Sequence, residues 1–411
     1  MVGWIRTLVV LFPVFVCGVS TVAAEETSAK IDRWIGALAD DSYSVRQEAA
    51  NQLLGIGAPA RGALSEVIDR PDPELRAAAR RLLVLIDRSE FERRLEAFAA
   101  DTDGKHGLTL PGWEAYRDLI GDDAASRDLF IEMQRHEGAL LEKIFGEDPQ
   151  TVQWEDRLVK LPPWQIATRT GVAMRPVGSC AAMLLLGSVP EGRVSDRGVM
   201  HLVHMLQQPP LRESLQPGAG AHSEPLRRLL VGWLTHCPNR NEQVLTQRLG
   251  VASLYELREG LPLALAVAHS EPAYLTVQPT TRAMAVLVAA QLGGPEHVPQ
   301  LEPLLDDDTV CLRARVGHAV NADNPMTVAT IEIRDVALVG LLQLTGQNPA
   351  QYGFANAVRQ QPNRLYNLGT LYLANDRQRQ AALEKWRQWK SRESRVEAGN
   401  RPAGGGSKAS S

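Results

Sequence analysis

Apolar residues recur at helical spacing along most of the chain, which predicts short amphipathic helices. In the N-terminal part, Ile31, Ile35 and Leu38 share one helix face, and a second apolar stripe begins at Val45 and ends at Leu54. Clusters of Gly, Pro and Asp separate such stripes, as expected where helices end and turns follow. The pattern therefore predicts an all-α protein built from helical hairpins.

One stretch of sequence is present twice in succession. Residues 31–60, IDRWIGALADDSYSVRQEAANQLLGIGAPA, are followed by a related text over residues 61–90, RGALSEVIDRPDPELRAAARRLLVLIDRSE. Internal periods of this length are typical of repeat architectures. Each copy predicts two helices, with Asp41 or Asp72 capping the second helix of its hairpin. We expect Arg46 and Arg76 to lie near these turns as partly buried cations beside carboxylates.

The two copies resemble HEAT-type helical repeats, an armadillo-like α-solenoid family. The residues that carry the resemblance are the turn aspartate, the apolar-Arg step and the small residue of the second helix, in two sets: Asp41, Val45, Arg46 and Ala49, then Asp72, Leu75, Arg76 and Ala79. The resemblance is clearest over residues 31–87 and weaker over 281–346, where Val298 begins a further first helix and Ile333 a second one. It implies an irregular HEAT-like α-solenoid and a role as an interaction scaffold.

Composition shifts and breaks in the pattern predict six segments. They are a secretory signal peptide over 1–24, N-terminal HEAT-like hairpins over 25–90, a divergent helical insert over 91–165, a degenerate HEAT-like array over 166–346, a C-terminal helical cap over 347–395 and a disordered tail over 396–411. In the insert, the segments after Trp113 and Ala124 predict helices, with Asp123 in the turn between them. The segment from His269 predicts one short strand. The cap is expected to be a helical hairpin in which Asn375 caps the last helix and Ala382, Trp386 and Trp389 share a face.

The N-terminus has the layout of an export signal. Arg6 precedes an apolar run, and Val22 and Ala24 occupy the −3 and −1 positions of a cleavage site before Glu25. The sequence therefore predicts a mature protein outside the cytoplasm, periplasmic or secreted, with no stable membrane insertion after cleavage. An uncleaved anchor is the alternative. Lipid attachment at Cys17 is disfavoured because Val16 precedes it.

Charge and composition exclude one class of partner. The chain has 411 residues, with 44 Lys and Arg against 48 Asp and Glu, so nothing points to nucleic acid. Residues 25–375 hold 34 basic against 44 acidic residues, whereas 376–411 hold nine against four. The mature chain is therefore acidic with a weakly basic end.

No complete catalytic, cofactor or metal motif is present in the sequence. His136 and Glu137 begin an H-E-x-x-H pattern that ends in Leu140 instead of a second histidine. Asp101 and Asp103 begin like a calcium loop, but Lys105 and Gly112 occupy two of its ligand positions. The first segment therefore cannot complete a zinc site, and the second is expected to be a flexible polar loop.

Several weaker candidates have structural explanations. His201 and His204 share a helix face, His236 is followed by Cys237, and Asp306, Asp307 and Asp308 form a carboxylate run that a HEAT-like turn would use for capping. Four tryptophans at helical spacing, Trp113, Trp154, Trp164 and Trp233, are expected in the core, although such residues also line carbohydrate sites. Three cysteines follow the signal: Cys180, Cys237 and Cys311. Buried thiols are the expectation, with one bridged pair left open.

These observations together predict a non-enzymatic, exported scaffold that binds a protein partner through a helical-repeat surface, with no catalytic, cofactor or metal residue assigned. An accessory subunit or an enzyme of an envelope or secreted hydrolytic system, with a site assembled from distant helices, is the alternative.

Overall fold

The computed structural model describes residues 19–104, 107–146, 176–190, 195–237, 241–316 and 327–399. Helix accounts for 72% of this part of the chain, which holds 16 α-helices and a two-stranded sheet. The predicted all-α class is therefore confirmed. The chain divides into two compact units, Met1–Leu110 and Pro111–Ser411. Of the predicted signal segment, residues 1–18 lie outside the described residues, as do Trp154, Trp164 and residues 400–411.

The described part of the N-terminal unit holds four α-helices. They are α1 Val19–Ala37, α2 Tyr43–Ile56, α3 Arg61–Val67 and α4 Pro73–Ala100. Their inward stripes meet in one hydrophobic cluster, to which every helix contributes, for example Ile35, Leu53, Leu64 and Leu82. Two successive helical hairpins are thus packed together through the residues that the sequence period places inside.

The turns of the two hairpins differ from each other. Asp72 caps α4 as predicted, accepting from the amides of Glu74 at 2.9 Å and Leu75 at 3.2 Å. Asp41 does not cap α2. The N-cap residue there is Ser42, which makes no side-chain capping bond, and its amide donates to Asp40 at 2.8 Å. The expectation for Asp41 is wrong because the carboxylate one residue earlier closes the turn instead.

Both repeat arginines bind backbone carbonyls and not carboxylates. The Arg46 guanidinium donates to the carbonyl oxygens of Asp40 at 2.7 Å and Asp41 at 3.0 Å. Arg76 donates to the carbonyl of Arg70 at 3.2 Å. Carbonyls left without partners at a helix end are natural acceptors for a cation, so each arginine fastens its own turn.

The C-terminal unit contains the remaining elements. They are α5 Trp113–Ile120, α6 Ala124–Phe145, α7 Val177–Ser188, α8 Asp196–Gln207, α9 Pro209–Ser214, α10 Ser223–His236, α11 Glu242–Leu254, α12 Leu261–Ala268, α13 Pro279–Leu292, α14 Val298–Leu301, β1 Val310–Val316, β2 Thr327–Glu332, α15 Ile333–Leu344 and α16 Asp376–Gly399. Helix α7 packs between α6 and α10, and α13 packs against both α12 and α15. The predicted helices α5 and α6 are present, and Asp123 caps α6 by accepting from the Ser126 amide at 3.0 Å.

Two more arginines repeat the bond seen in the N-terminal unit. Arg248 in α11 donates through Nε to the carbonyl of Leu234, near the end of α10, at 3.1 Å. Arg282 in α13 donates to the carbonyl of Ala268, the last residue of α12, at 3.0 Å. Each pair is separated by 14 residues, so the second helix of a hairpin holds the end of the first in the same way twice.

The region after α14 departs from the predicted helical array. Where a HEAT-like turn was expected, a 3₁₀ segment over Glu302–Asp306 leads into β1, which pairs antiparallel with β2 through Leu312–Ile331 to Val316–Thr327. The segments VCLRARV and TVATIE alternate in polarity and are rich in β-branched residues, which favours strands. The short strand expected after His269 is wrong, since Pro272–Tyr274 form a single 3₁₀ turn there.

The C-terminal cap contains one helix where two were predicted. Residues 349–375 hold two 3₁₀ turns, Pro349–Tyr352 and Leu368–Thr370, joined by irregular chain. Helix α16 begins as predicted: the Asn375 side chain accepts from the Gln378 amide at 3.0 Å, and the Gln378 side chain accepts from the Ala374 amide at 3.0 Å. Ala382 and Trp386 are buried, and the Trp386 and Trp389 rings lie 5.0 Å apart.

Candidate interaction surface

The histidine candidates form hydrogen bonds to groups one turn away along the chain. In α8, His201 Nδ1 lies 2.9 Å from the carbonyl oxygen of Arg197, and His204 Nε2 lies 3.2 Å from the side-chain Nε2 of Gln208. His236 Nδ1 lies 2.9 Å from the carbonyl of Gly232 in α10. Each imidazole thus satisfies one nitrogen locally. No group of three or more His, Cys, Asp or Glu able to hold a metal ion occurs in the described part of the chain.

The interrupted H-E-x-x-H pattern lies at a bend of α6. His136 Nε2 is 3.5 Å from a carboxylate oxygen of Glu132, one turn earlier. Glu137 has non-helical backbone angles and accepts from the buried hydroxyl of Ser179 at 2.8 Å. Leu140 is buried. The carboxylate therefore joins α6 to α7 at the point where α6 bends.

The carboxylate candidates stabilise turns. Asp101, buried after the end of α4, accepts from the amide of Leu108 at 3.4 Å and so closes its loop. Asp307 forms an ion pair with Arg282 at 2.7 Å and accepts from the Thr309 amide at 3.0 Å. These bonds outweigh the effect of burial and lower the pKa of Asp307. Its expected role as a helix cap is wrong, because a strand follows.

Cys180, Cys237 and Cys311 are buried, and no disulfide joins any two of these three residues. Cys180 lies in α7 and Cys237 directly follows α10, as expected for thiols packed among helices, but Cys311 lies in β1. Its thiol donates to the carbonyl of Ile331 at 3.2 Å. Burial, together with the nearby negative charge of Asp335, raises the pKa of Cys311 to about 12. The thiol is therefore protonated at neutral pH.

Two of the candidate tryptophans lie in the core. Trp113 packs against Phe130, with ring centroids 5.1 Å apart, and Trp233 is fully buried. A Cβ at Gly187 of α7 would lie 2.5 Å from the Trp233 ring, so only glycine permits this approach of α7 to α10. These rings hold helices together and do not line an open site.

One groove lies between α16 and the 3₁₀ segment before β1, with a volume of about 590 Å³. Glu302 and Asp306 line one side, and Arg387 and Lys390 line the other. Lys390 forms an ion pair with Glu302 across it. The charges facing each other there are thus already partly neutralised within the protein.

Helix α4 carries two apolar stripes on opposite faces. The first, with Leu75, Ala79, Leu82 and Ile86, is buried in the core of the N-terminal hairpins. The second runs through residues seven apart, which share a helix face: Ala77, Val84, Phe91 and Phe98. We call these four residues the outer stripe of α4. At 28 residues, α4 is long enough to use one face near its start and the other near its end.

The outer stripe is buried at one end and open at the other. Phe98 is fully buried, and Leu95 beside it is 6% exposed, whereas Val84 is 66% exposed and its neighbour Leu85 is 48% exposed. Single exposed apolar residues are ordinary, but two adjacent large ones in line with a buried stripe form a patch. The N-terminal half of the outer stripe therefore presents apolar surface to solvent.

Unpaired positive charge flanks this patch. Arg80 and Arg81 precede Val84 by one turn and are exposed; neither forms an ion pair or hydrogen bond within the described residues. The next charges along the helix are paired: Asp87 with Arg61 at 2.5 Å, and Arg88 with Glu92 at 2.9 Å. The open part of the outer stripe is therefore apolar with a free basic margin.

The sequence interpretation missed this surface, although the signal was present. The 30-residue repeat accounts for Leu75 and Ala79 but leaves Val84 and Phe91 without a role. A search for a seven-residue period in α4 finds the outer stripe directly. Among the described residues, no helix is long and apolar enough to span a membrane. Comparison of this chain with protein-family models, with curated proteins and with solved structures gave no match.

Proposed function

We propose that this chain is an exported, non-enzymatic scaffold that binds a protein partner through the surface of its helical hairpins. The observation that carries the proposal is the open half of the outer stripe of α4. Large apolar side chains at Val84 and Leu85 remain in water although the same helix buries Leu82 and Ile86 completely or nearly so. Such exposure is typical of a surface that a partner covers.

The local chemistry supports binding over catalysis. The titratable candidates that the sequence singled out are engaged in turns and helix contacts: Asp307 with Arg282, and Glu137 with Ser179. Groups of this kind hold the fold in shape, which is what a rigid binding surface requires. The apolar patch, by contrast, has no internal role in the N-terminal hairpins.

Site-specific photo-crosslinking in the native host tests the proposal. A photoreactive residue is placed at Val84 of the full chain, and in a second protein at Leu275, which is 70% exposed in the C-terminal unit. We expect a defined protein adduct from position 84 and a much weaker one from position 275. Absence of protein adducts from these positions, and from further positions spread over both units, contradicts a scaffold role.

Export is tested separately by N-terminal sequencing of the protein from fractionated cells. The proposal expects a chain that begins at Glu25 in the extracytoplasmic fraction, because Val22 and Ala24 form the cleavage site. Protein in the cytosol that still begins at Met1 or Val2 removes the export part of the proposal. It leaves the crosslinking result to be judged by itself.

A further inference from the structure

The open half of the outer stripe has the geometry of a helix-binding seam. We call Ala77, Val84 and Phe91 the seam. These three residues are spaced seven residues apart, and this spacing keeps their side chains in line over four turns of α4. A second helix with apolar residues at heptad spacing contacts such a line continuously, whereas an extended peptide meets it only at isolated points. The seam therefore fits a helix better than a strand.

The residues that flank the seam favour a partner with negative charge. Arg80 and Arg81 lie on either side of Val84 when viewed down the helix, since they precede it by four and three residues. Both guanidinium groups are free within the described residues. The carboxylate of Asp87, three residues after Val84, is already bound to Arg61. A partner that reaches Val84 therefore meets two uncompensated positive charges.

We propose that this seam binds an acidic amphipathic helix of a protein partner, with the apolar face of that helix on Val84 and Leu85 and its flanking carboxylates on Arg80 and Arg81. The inference rests on the proposed scaffold function and specifies the class of partner. Burial of the exposed apolar surface supplies affinity, and the arginines supply the choice of charge and the register.

The seam also continues a contact that already exists. Phe98 and Leu95, farther along the same face, are buried in the folded protein. A helix laid on Val84 and Phe91 extends that buried line toward the start of α4. The partner thus completes a stripe that the protein itself covers only in part.

Fluorescence anisotropy with three synthetic peptides tests the inference on the full-length mature protein. The first peptide has Leu at heptad positions and Glu on the flanks, the second has Lys in place of every Glu, and the third has the composition of the first with its leucines moved off the heptad. We expect the first to bind at least ten-fold more tightly than the others, with weaker binding at higher salt.

Charge reversal on the protein provides the decisive comparison. Arg80→Glu with Arg81→Glu is expected to reverse the preference, so that the Lys peptide binds more tightly than the Glu peptide. Arg258→Glu with Arg377→Glu makes the same change in charge at two exposed arginines of the other unit, which form no ion pair within the described residues. This control is expected to keep the original preference.

Removal of the apolar contact should weaken binding of every peptide. Val84→Ser with Leu85→Ser is expected to lower affinity for the Glu peptide at least ten-fold, whereas Leu275→Ser with Val358→Ser, at exposed positions of the other unit, leaves it unchanged. Circular dichroism of each variant verifies that the helices remain.

Three results overturn the inference. The first is equal binding of the Glu and Lys peptides, and the second is equal loss in the stripe variants and their controls. The third is binding to phosphatidylglycerol vesicles that the stripe variants abolish while no peptide binds, which assigns the seam to an anionic membrane surface. If the inference fails but positions other than Val84 give protein adducts in the crosslinking experiment, the proposed scaffold function is still supported. If the Glu peptide binds the seam but no position gives an adduct in cells, the inference is supported and the scaffold function is not.

Discussion

Arg379 of α16 donates two parallel hydrogen bonds to the carboxylate of Asp335 in α15, from Nε to Oδ1 at 2.7 Å and from Nη2 to Oδ2 at 3.0 Å. Both side chains are almost completely buried. Glu332, at the start of α15, lies 3.4 Å from the same guanidinium. These carboxylates raise the pKa of Arg379 against the opposing effect of burial. The buried ion pair of Arg379 therefore joins α16 to α15.

Removal of that cation should be costly. Arg379→Ala leaves the buried carboxylate of Asp335 without its partner, for which we expect a loss of about 3 to 5 kcal/mol in the free energy of unfolding. Asp376→Ala removes another partner of Arg379, but its side chain is 85% exposed, so we expect less than about 1 kcal/mol. Urea denaturation followed by circular dichroism measures both variants. Similar losses of unfolding free energy in the two variants would show that the buried pair of Arg379 and Asp335 contributes no more to stability than the exposed pair.

The N-terminal hairpins give a second pair of variants. Asp72→Ala removes the acceptor of two amide hydrogen bonds at the start of α4, and we expect a loss of about 0.5 to 2 kcal/mol. Glu74→Ala, at an exposed neighbouring position, should stay within about 0.5 kcal/mol. Asp41→Ala is expected to behave like Glu74→Ala, since Asp41 caps nothing. A large effect at Asp41 in denaturant titrations contradicts the observed turn.

The buried thiol of Cys311 makes stability depend on alkaline pH. Its pKa rises from the ordinary 9.0 to about 12 on folding, so above pH 9 the folded protein binds more protons than the unfolded chain. Stability is therefore lost as pH rises from 9 toward 12, by up to about 1.4 kcal/mol per pH unit from this group. The Cys311→Ala variant should show a shallower slope in urea midpoints between pH 9 and 10.5. An unchanged slope removes this assignment.

Reagent access to the thiols provides an independent measurement. All three cysteines are buried, and at pH 8 the thiolate fraction of Cys311 is on the order of 10⁻⁴. We expect a disulfide reagent to modify none of them rapidly in the folded protein that begins at Glu25, and all three after unfolding in guanidinium. Fast labelling of one thiol in the folded state contradicts its burial.

The histidine pair of α8 is expected to be dispensable. The hydrogen bonds of the His201 and His204 rings go to groups four residues away, in the preceding and the following turn, so His201→Ala with His204→Ala should leave the unfolding midpoint nearly unchanged. Elemental analysis should find no stoichiometric zinc in the purified protein. One zinc per chain, lost in this double variant, would reopen the enzyme alternative.

The features that the sequence predicted well are local ones. Helix α6 and its Asp123 cap, and α16 with its Asn375 cap, depend on residues within one turn of each other, so spacing alone identifies them. The strands and the irregular chain before α16 depend on distant contacts. Leu312 pairs with Ile331 across 19 residues, and nothing near either residue in sequence signals that partner.

The outer stripe was predictable in part. Its heptad spacing is visible in the sequence. Whether these residues form core or a binding surface depends on their exposure to solvent, which depends on the packing of the whole unit. Val84 and Phe98 occupy the same helix face, yet one lies in water and the other is buried. Sequence periodicity identifies a face of a helix; only the folded structure shows which part of that face is uncovered.

The hydrogen bonds from arginines to turn carbonyls affect how the protein unfolds locally. Arg46, Arg76, Arg248 and Arg282 each bond to a carbonyl no more than 14 residues away, inside one hairpin. Opening one hairpin therefore breaks its own hydrogen bond of this kind and leaves the others intact. Native-state hydrogen exchange should accordingly resolve separate opening steps, with the amides of each turn exchanging together with those of the helix that holds it.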